Sequence, residues 1–170
     1  MEDVPVVRGV EDFERFFRGE YRAVLGLAIV LSGSRSAGEE LTQDAFLVTF
    51  REWDRVGRLD NPGAWVRRIV ANRSVSRFRR VVAETRALFR LNSQARRVGH
   101  MDLDAGLDVW SEVRRLPRRQ AQVVALTYLD DLPRRAVAEI LGCGEETVKT
   151  HLERARRTLA DRLGPFEGGF

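Results

Sequence analysis

The stretch PRRAVAEILGCGEETVKTHLERARRTLADRL (133–163) constrains the fold more than any other part of the chain. Val148, Leu152, Ala155, Leu159 and Leu163 follow one another at steps of four, three, four and four, the spacing of one buried stripe on a single helix. Before it, Ala136, Ile140 and Leu141 give a shorter helix an apolar side. Gly142 permits the left-handed conformation that closes a helix, and Cys143 with Gly144 completes a tight turn. The face opposite the stripe presents Thr147, Thr150, Arg154 and Arg157, with Lys149 and Arg156 on one flank and His151 on the other. Two helices, a turn of about three residues and a polar-basic outer face on the second describe a helix-turn-helix.

In such a motif the second helix enters the major groove with its N-terminal half toward the bases. The hydroxyls at 147 and 150 and the guanidinium of Arg154 can read base edges, while arginines further along suit phosphates. The plainer alternative is a helical hairpin with a solvated charged face, since Glu145, Glu146 and Glu153 dilute the basic charge. Cys143 reads as a small turn residue. His151 reads as a DNA-facing or solvated side chain.

The rest of the chain is also helical in pattern, with no run of alternating strand residues. A first helix is expected from about Val10 to Leu31, carrying Phe13, Phe16, Phe17, Val24, Leu27 and Leu31 at three- and four-residue steps. GSRSAG (33–38) is a turn, and Ser36 or Ala37 opens a second helix that ends near Trp53. Residues 54–61 are expected as a loop, and Pro62 suits the first turn of a third helix. Residues 81–106 lack a sustained period and read as a linker. Further helices follow from about Leu107 to Arg115 and from Pro117 to Leu129. The expected architecture is all-α: two small helical domains, 10–80 and 107–164, joined by a flexible linker.

Residues 61–80, NPGAWVRRIVANRSVSRFRR, pose a separate problem. The eighteen residues after Pro62 hold six arginines and no acid, yet apolar and aromatic side chains run through them. Trp65, Val66, Ile69 and Val70 form one apolar side and Ala64, Ala71, Val75 and Phe78 another, so the helix is not cleanly amphipathic. A single cysteine excludes an internal disulfide, and with only His100 and His151 besides, a structural zinc site is not expected. The N-terminus carries acids and no apolar signal core, and the longest apolar run is too short to span a bilayer. A cytoplasmic protein without membrane insertion, metal or cofactor is the expectation. No Gly-rich phosphate loop and no nucleophile–base pair marks an enzyme, so no catalytic residue is assigned.

EELTQDAFLVTFREWDRV (39–56) followed by residues 61–80 resembles the second conserved region of extracytoplasmic-function (ECF) sigma factors, members of the sigma-70 family. Residues 107–159 resemble their fourth region. The resemblance covers most of the chain with both motifs in the family's order, and it implies a promoter-recognition subunit of bacterial RNA polymerase. It implies domains in these roles: 10–80 for polymerase binding and for recognition and melting of the −10 element, 107–164 for the −35 element. It further implies that Glu40, Leu41, Gln43, Asp44 and Phe46 dock on core polymerase. The family's loop that captures a flipped base maps onto Asp54 to Asn61, and its asparagine maps onto Asn72. The resulting −10 set is Arg58, Asn61, Trp65, Arg68, Asn72, Arg73 and Arg79, with Trp65 read either as a core or as a base-stacking residue.

Arginines for the backbone and apolar surfaces for unstacked bases would explain the composition of 61–80. Arg67, Arg77 and Arg80 belong to the same basic run. The −35 set is Thr147, Lys149, Thr150, His151, Arg154 and Arg157, of which Lys149, Thr150 and Arg154 rest on the family match. The aspartate common four residues after the family's asparagine is Ser76 here. Promoter DNA (duplex at −35, melted at −10), core polymerase and an anti-sigma factor are the implied partners. The segment TVKTHLERARRTL also looks like the output helix of LuxR-type regulators, which leaves a helix-turn-helix regulator without a sigma role as the alternative.

Overall fold

The computed structural model describes residues 5–74 and 107–164, and every regular element among them is a helix. The first half holds α1 (Pro5–Ser32), α2 (Arg35–Arg51), α3 (Trp53–Val56) and α4 (62–74). The second holds α5 (Leu107–Arg114), α6 (Arg118–Tyr128), α7 (Arg134–Leu141) and α8 (Glu145–Leu163). The expected linker lies outside the described residues, as do Val75, Ser76, Arg77, Phe78, Arg79 and Arg80.

Helix α1 begins five residues before the expected Val10, with Pro5 at its first position, where a missing N–H costs nothing. It ends at Gly33, whose φ of +85° suits glycine. Ser34 then caps α2 through its hydroxyl, which accepts from the Ala37 amide at 3.2 Å, so α2 opens at Arg35 rather than at Ser36 or Ala37. Four residues on, Gly38 lets the two helices touch. A Cβ there would lie 2.5 Å from Ile29 Cγ1 and 2.8 Å from the Ile29 backbone. Phe13, Phe16, Phe17 and Tyr21 of α1 meet Phe46, Phe50 and Trp53 at ring separations of 4.7 to 6.2 Å. Thr42 and Thr49 are buried but donate to the carbonyls of Gly38 and Ala45 in their own helix, so neither hydroxyl is left unpaired.

Part of the expected 54–61 loop is the short helix α3, held by the fully buried Val56. Asn61 starts α4 by accepting the Ala64 amide at 2.9 Å, with Pro62 next. On α4, Val66, Val70 and Ala71 are fully buried, drawn from both apolar sides read in the sequence.

In the second half Pro117 and Pro133 stand immediately before α6 and α7. Gly142 closes α7 at φ +65°. Val148, Leu152, Ala155 and Leu159 of α8 are buried against α6 and α7, as the stripe requires, and Leu163 packs partly against the same core. The two halves also pack on one another: α1 lies against α5 and α6, and one apolar core runs through both.

Candidate nucleic-acid interface

The two helices assigned to DNA in the sequence present their cations differently. On α8 the buried stripe leaves Thr147, Lys149, Arg154 and Arg157 exposed, with Thr150 and His151 half-buried beside them. Thr150 donates its hydroxyl back to the Glu146 carbonyl at 2.9 Å, and Lys149 pairs with the Glu146 carboxylate at 3.1 Å. That pair is open to water and holds the lysine only weakly. Arg156, on the flank, donates to the Tyr128 hydroxyl at 2.8 Å and so is tied to α6. Glu145 and Glu146 occupy the first turn, where the helix dipole favours acids. The result is an open polar-basic face on a rigid helix.

On α4 the basic run divides. Arg67 is 9% exposed. It donates to Asp130 Oδ2 at 2.7 Å, to Glu20 Oε2 at 2.6 Å and to the Gly63 carbonyl at 3.1 Å. It is therefore removed from the backbone-binding run in which its sequence position put it. Burial works to lower the Arg67 pKa, but the hydrogen bond with Glu20 and the charge of Asp130 outweigh it and hold the guanidinium above its ordinary value. Burial pushes the Asp130 carboxyl up, and Arg67 offsets this only in part. Arg68 donates from Nε to the Ile140 carbonyl at 3.1 Å and from its other end to the Glu139 carbonyl, both at the C-terminal end of α7.

Asn72 and Arg73 are exposed, Arg73 lying 3.7 Å from Asp44 of α2. Arg58 and Asn61 are exposed at the loop before α4, and the Asn61 side-chain oxygen serves the helix cap. Trp65 is half-buried with its ring covered by Arg55, whose guanidinium carbon sits 4.4 Å from the ring centroid. Arg79 lies outside the described residues.

On α2, Leu41 and Phe46 are 2% and 3% exposed. They anchor the helix inward and offer no surface to a partner. The outward face carries Glu40, Gln43, Asp44 and Leu47, with Leu47 48% exposed. Leu47 is not among the residues the resemblance implies, yet positions 40, 43, 44 and 47 follow the spacing of one helix face. Among the described residues no group of three or more His, Cys, Asp or Glu is gathered as a metal site, and no helix is long and apolar enough to cross a membrane.

Known proteins match both halves. Residues 16–83 match the family model for sigma-70 region 2, and residues 107–159 match the model for sigma-70 region 4. Together the two models span well over half of the chain. The chain belongs to the sigma-70 family. Its similarity to the ECF RNA polymerase sigma factor SigM of Mycobacterium tuberculosis is 29% identity over 158 residues, covering 92% of this chain and 80% of that protein. Against the ECF RNA polymerase sigma factor SigW of Bacillus subtilis it is 27% over 146 residues, covering 77% and 78%.

The fold is shared with the sigma factor RpoE solved with the anti-sigma factor NepR from Bartonella quintana. There the TM-score is 0.74 at 23% identity, over 91% of this chain and 98% of that one. CnrH, solved with the cytosolic domain of CnrY, gives 0.66 at 20% identity over 89% and 86%. This sigma factor is of the ECF class, its function is promoter recognition for RNA polymerase, and sigma factors are not themselves enzymes. The region 2 match at residues 16–83 decides against a LuxR-type regulator, which would usually carry a sensing or receiver domain there.

Proposed function

We propose that this sigma factor reads a duplex −35 element with the outer face of α8 and holds the melted −10 element along the exposed edge of α4. The observation that carries the reading is the open face of α8, with Thr147, Lys149, Arg154 and Arg157 all exposed opposite a fully packed stripe. Thr147 and Arg154 stand in the N-terminal and middle turns that face bases, and Arg157 follows where phosphates lie. Thr150 and His151, half-buried at the edge of that face, flank the same contact. On the −10 side Asn72 offers an amide that both donates and accepts, Arg73 and Arg58 offer charge, and Arg79 extends the run. Arg68 joins them once free of α7.

Core polymerase docks on α2 in this reading, with Glu40, Gln43 and Asp44 facing a basic helical partner and Leu47 as the apolar anchor. Leu41 and Phe46 act there by fixing the helix. An anti-sigma factor is the expected regulator, and the protein works in the cytoplasm, with residues 81–106 linking the two DNA-binding units. The test is transcription of fragmented genomic DNA by bacterial core polymerase with and without this protein, mapping RNA 5′ ends. New starts sharing paired −35 and −10 motifs are expected. Duplex binding without new starts would sink the sigma reading.

A further inference from the structure

A cavity of about 810 Å³ lies where the end of α1 meets α5 and α6, a size ordinary for a small-molecule site. Val30, Leu31, Val113, Leu116 and Ala121 give it an apolar wall. Arg114, Arg115, Arg118 and Arg162 also line it, and among the described residues no carboxylate does. Gln122 lines it too, but its amide is given to the Ala71 carbonyl at 2.6 Å. None of the residues assigned above to DNA or to core polymerase takes part.

The four cations are not equivalent. Arg115 and Arg162 both donate to the Glu112 carboxylate, and with Arg118 they are exposed to solvent. Arg114 is half-buried and has neither a hydrogen bond nor an ion pair among the described residues. Its stem lies over Gly33, where a Cβ would stand 3.5 Å from Arg114 Cδ. Burial and the neighbouring charge of Arg115 both lower the Arg114 pKa. A guanidinium drawn out of water with no acceptor is unfavourable, and an anion brought to it relieves the cost.

We propose that this cavity binds a small amphiphilic anion, an alkyl chain ending in one carboxylate or phosphate, with Arg114 holding the head. A guanidinium takes either head through two parallel N–H donors. The chain lies along the apolar wall, where each methylene taken from water adds to the affinity. One head is enough, because Arg114 alone of the four arginines is half-buried. The surrounding arginines add attraction at longer range and exclude a cationic ligand. Such a site would give the chain a small-molecule input separate from its DNA-binding faces.

The test is calorimetric titration of the full chain with decanoate, decyl phosphate and decanol, each kept below its micelle or solubility limit. Wild type is expected to bind one anion per chain, at least tenfold more tightly than decanol. The tighter of the two anions assigns the head as carboxylate or phosphate. Arg114→Gln is expected to lose at least tenfold in affinity for that anion and to leave decanol binding unchanged. Arg51→Gln, at an exposed position in the last turn of α2, is expected to bind as wild type does. Without ligand, Arg114→Gln should melt no lower than wild type, because the lost cation has no partner to strand. A lowered melting temperature would show that the fold itself uses the Arg114 charge, and it overturns the site. So does equal affinity for anion and decanol, equal loss in the two arginine variants, or no binding of either anion.

Discussion

Helices α4 and α8 both combine an apolar side with several arginines, and they use the arginines in opposite ways. On α8 every cation stands outside a stripe of perfect helical spacing. On α4 one arginine is turned inward and its neighbour reaches backbone carbonyls of the other half. The difference follows from the apolar pattern. A single clean stripe leaves one choice of face, and polar residues fall outside by default. Two overlapping apolar sides force a helix to be covered from two directions, and a cation lying between them must be buried with partners. Arginine count alone therefore says little about how much positive charge a helix presents.

The comparison can be broken most directly at Arg67. Arg67→Ala is expected to cost roughly 3–5 kcal/mol of unfolding free energy, because Asp130 is left buried without its cation. Arg157→Ala on α8 is expected to stay within about 0.5 kcal/mol. Urea unfolding of both variants checks this, and equal losses would erase the contrast. Next in size is the stripe that makes α8 regular. Leu152 is 7% exposed, and Leu152→Ala should cost about 2–5 kcal/mol through lost burial and a cavity. Thermal unfolding reads it, and a loss under about 1 kcal/mol would mean the stripe is not what aligns the outer face.

Arg154→Ala is expected to weaken binding to a −35 duplex by about 1–3 kcal/mol if the contact is bidentate to a base, with the melting temperature unchanged. A melting shift in place of a binding loss would give Arg154 a structural role. Asn72→Ala, at an exposed position of α4, is expected to impair −10 opening, read by permanganate footprinting, while polymerase binding is kept. Parallel loss of both would withdraw the role given to Asn72.

The smallest effect separates the two helices by pH. Burial holds the Asp130 carboxyl above its ordinary value of 3.8. The folded chain therefore takes up this proton before the unfolded chain does. Its contribution to stability is present below 3.8 and is lost as pH rises through the raised folded value. Asp130→Asn is expected to remove that part of the wild-type stability profile. Superimposable profiles would show that the carboxyl titrates as it does in the unfolded chain.

What the sequence made legible follows the same division. The turn at Gly142, the α8 stripe and the open face opposite it are local consequences of spacing within one helix, and all stand as read. The α2 face is legible in principle, because 40, 43, 44 and 47 share a side, but Leu41 and Phe46 enter the docking set through the family resemblance while their spacing places them inward. Glu20, Arg67, Gln122 and Asp130 could not be found this way. Arg67 and Asp130 are 63 residues apart, and nothing local distinguishes a carboxylate that will be buried by another helix from one that will stay in water. The early start of α1 and the short α3 were missed for a smaller reason. Helix ends depend on capping and packing of single residues, here Pro5 and Val56.

Gly38 gives the first half a mechanical character. With no room even for a methyl group against Ile29, any larger residue at 38 would force α1 and α2 apart. Glu20 lies on α1 nine residues from Ile29, about 13 Å along the helix, and it grips Arg67. A change at Gly38 is therefore expected to disturb the Arg67 site as well as the α1–α2 seam.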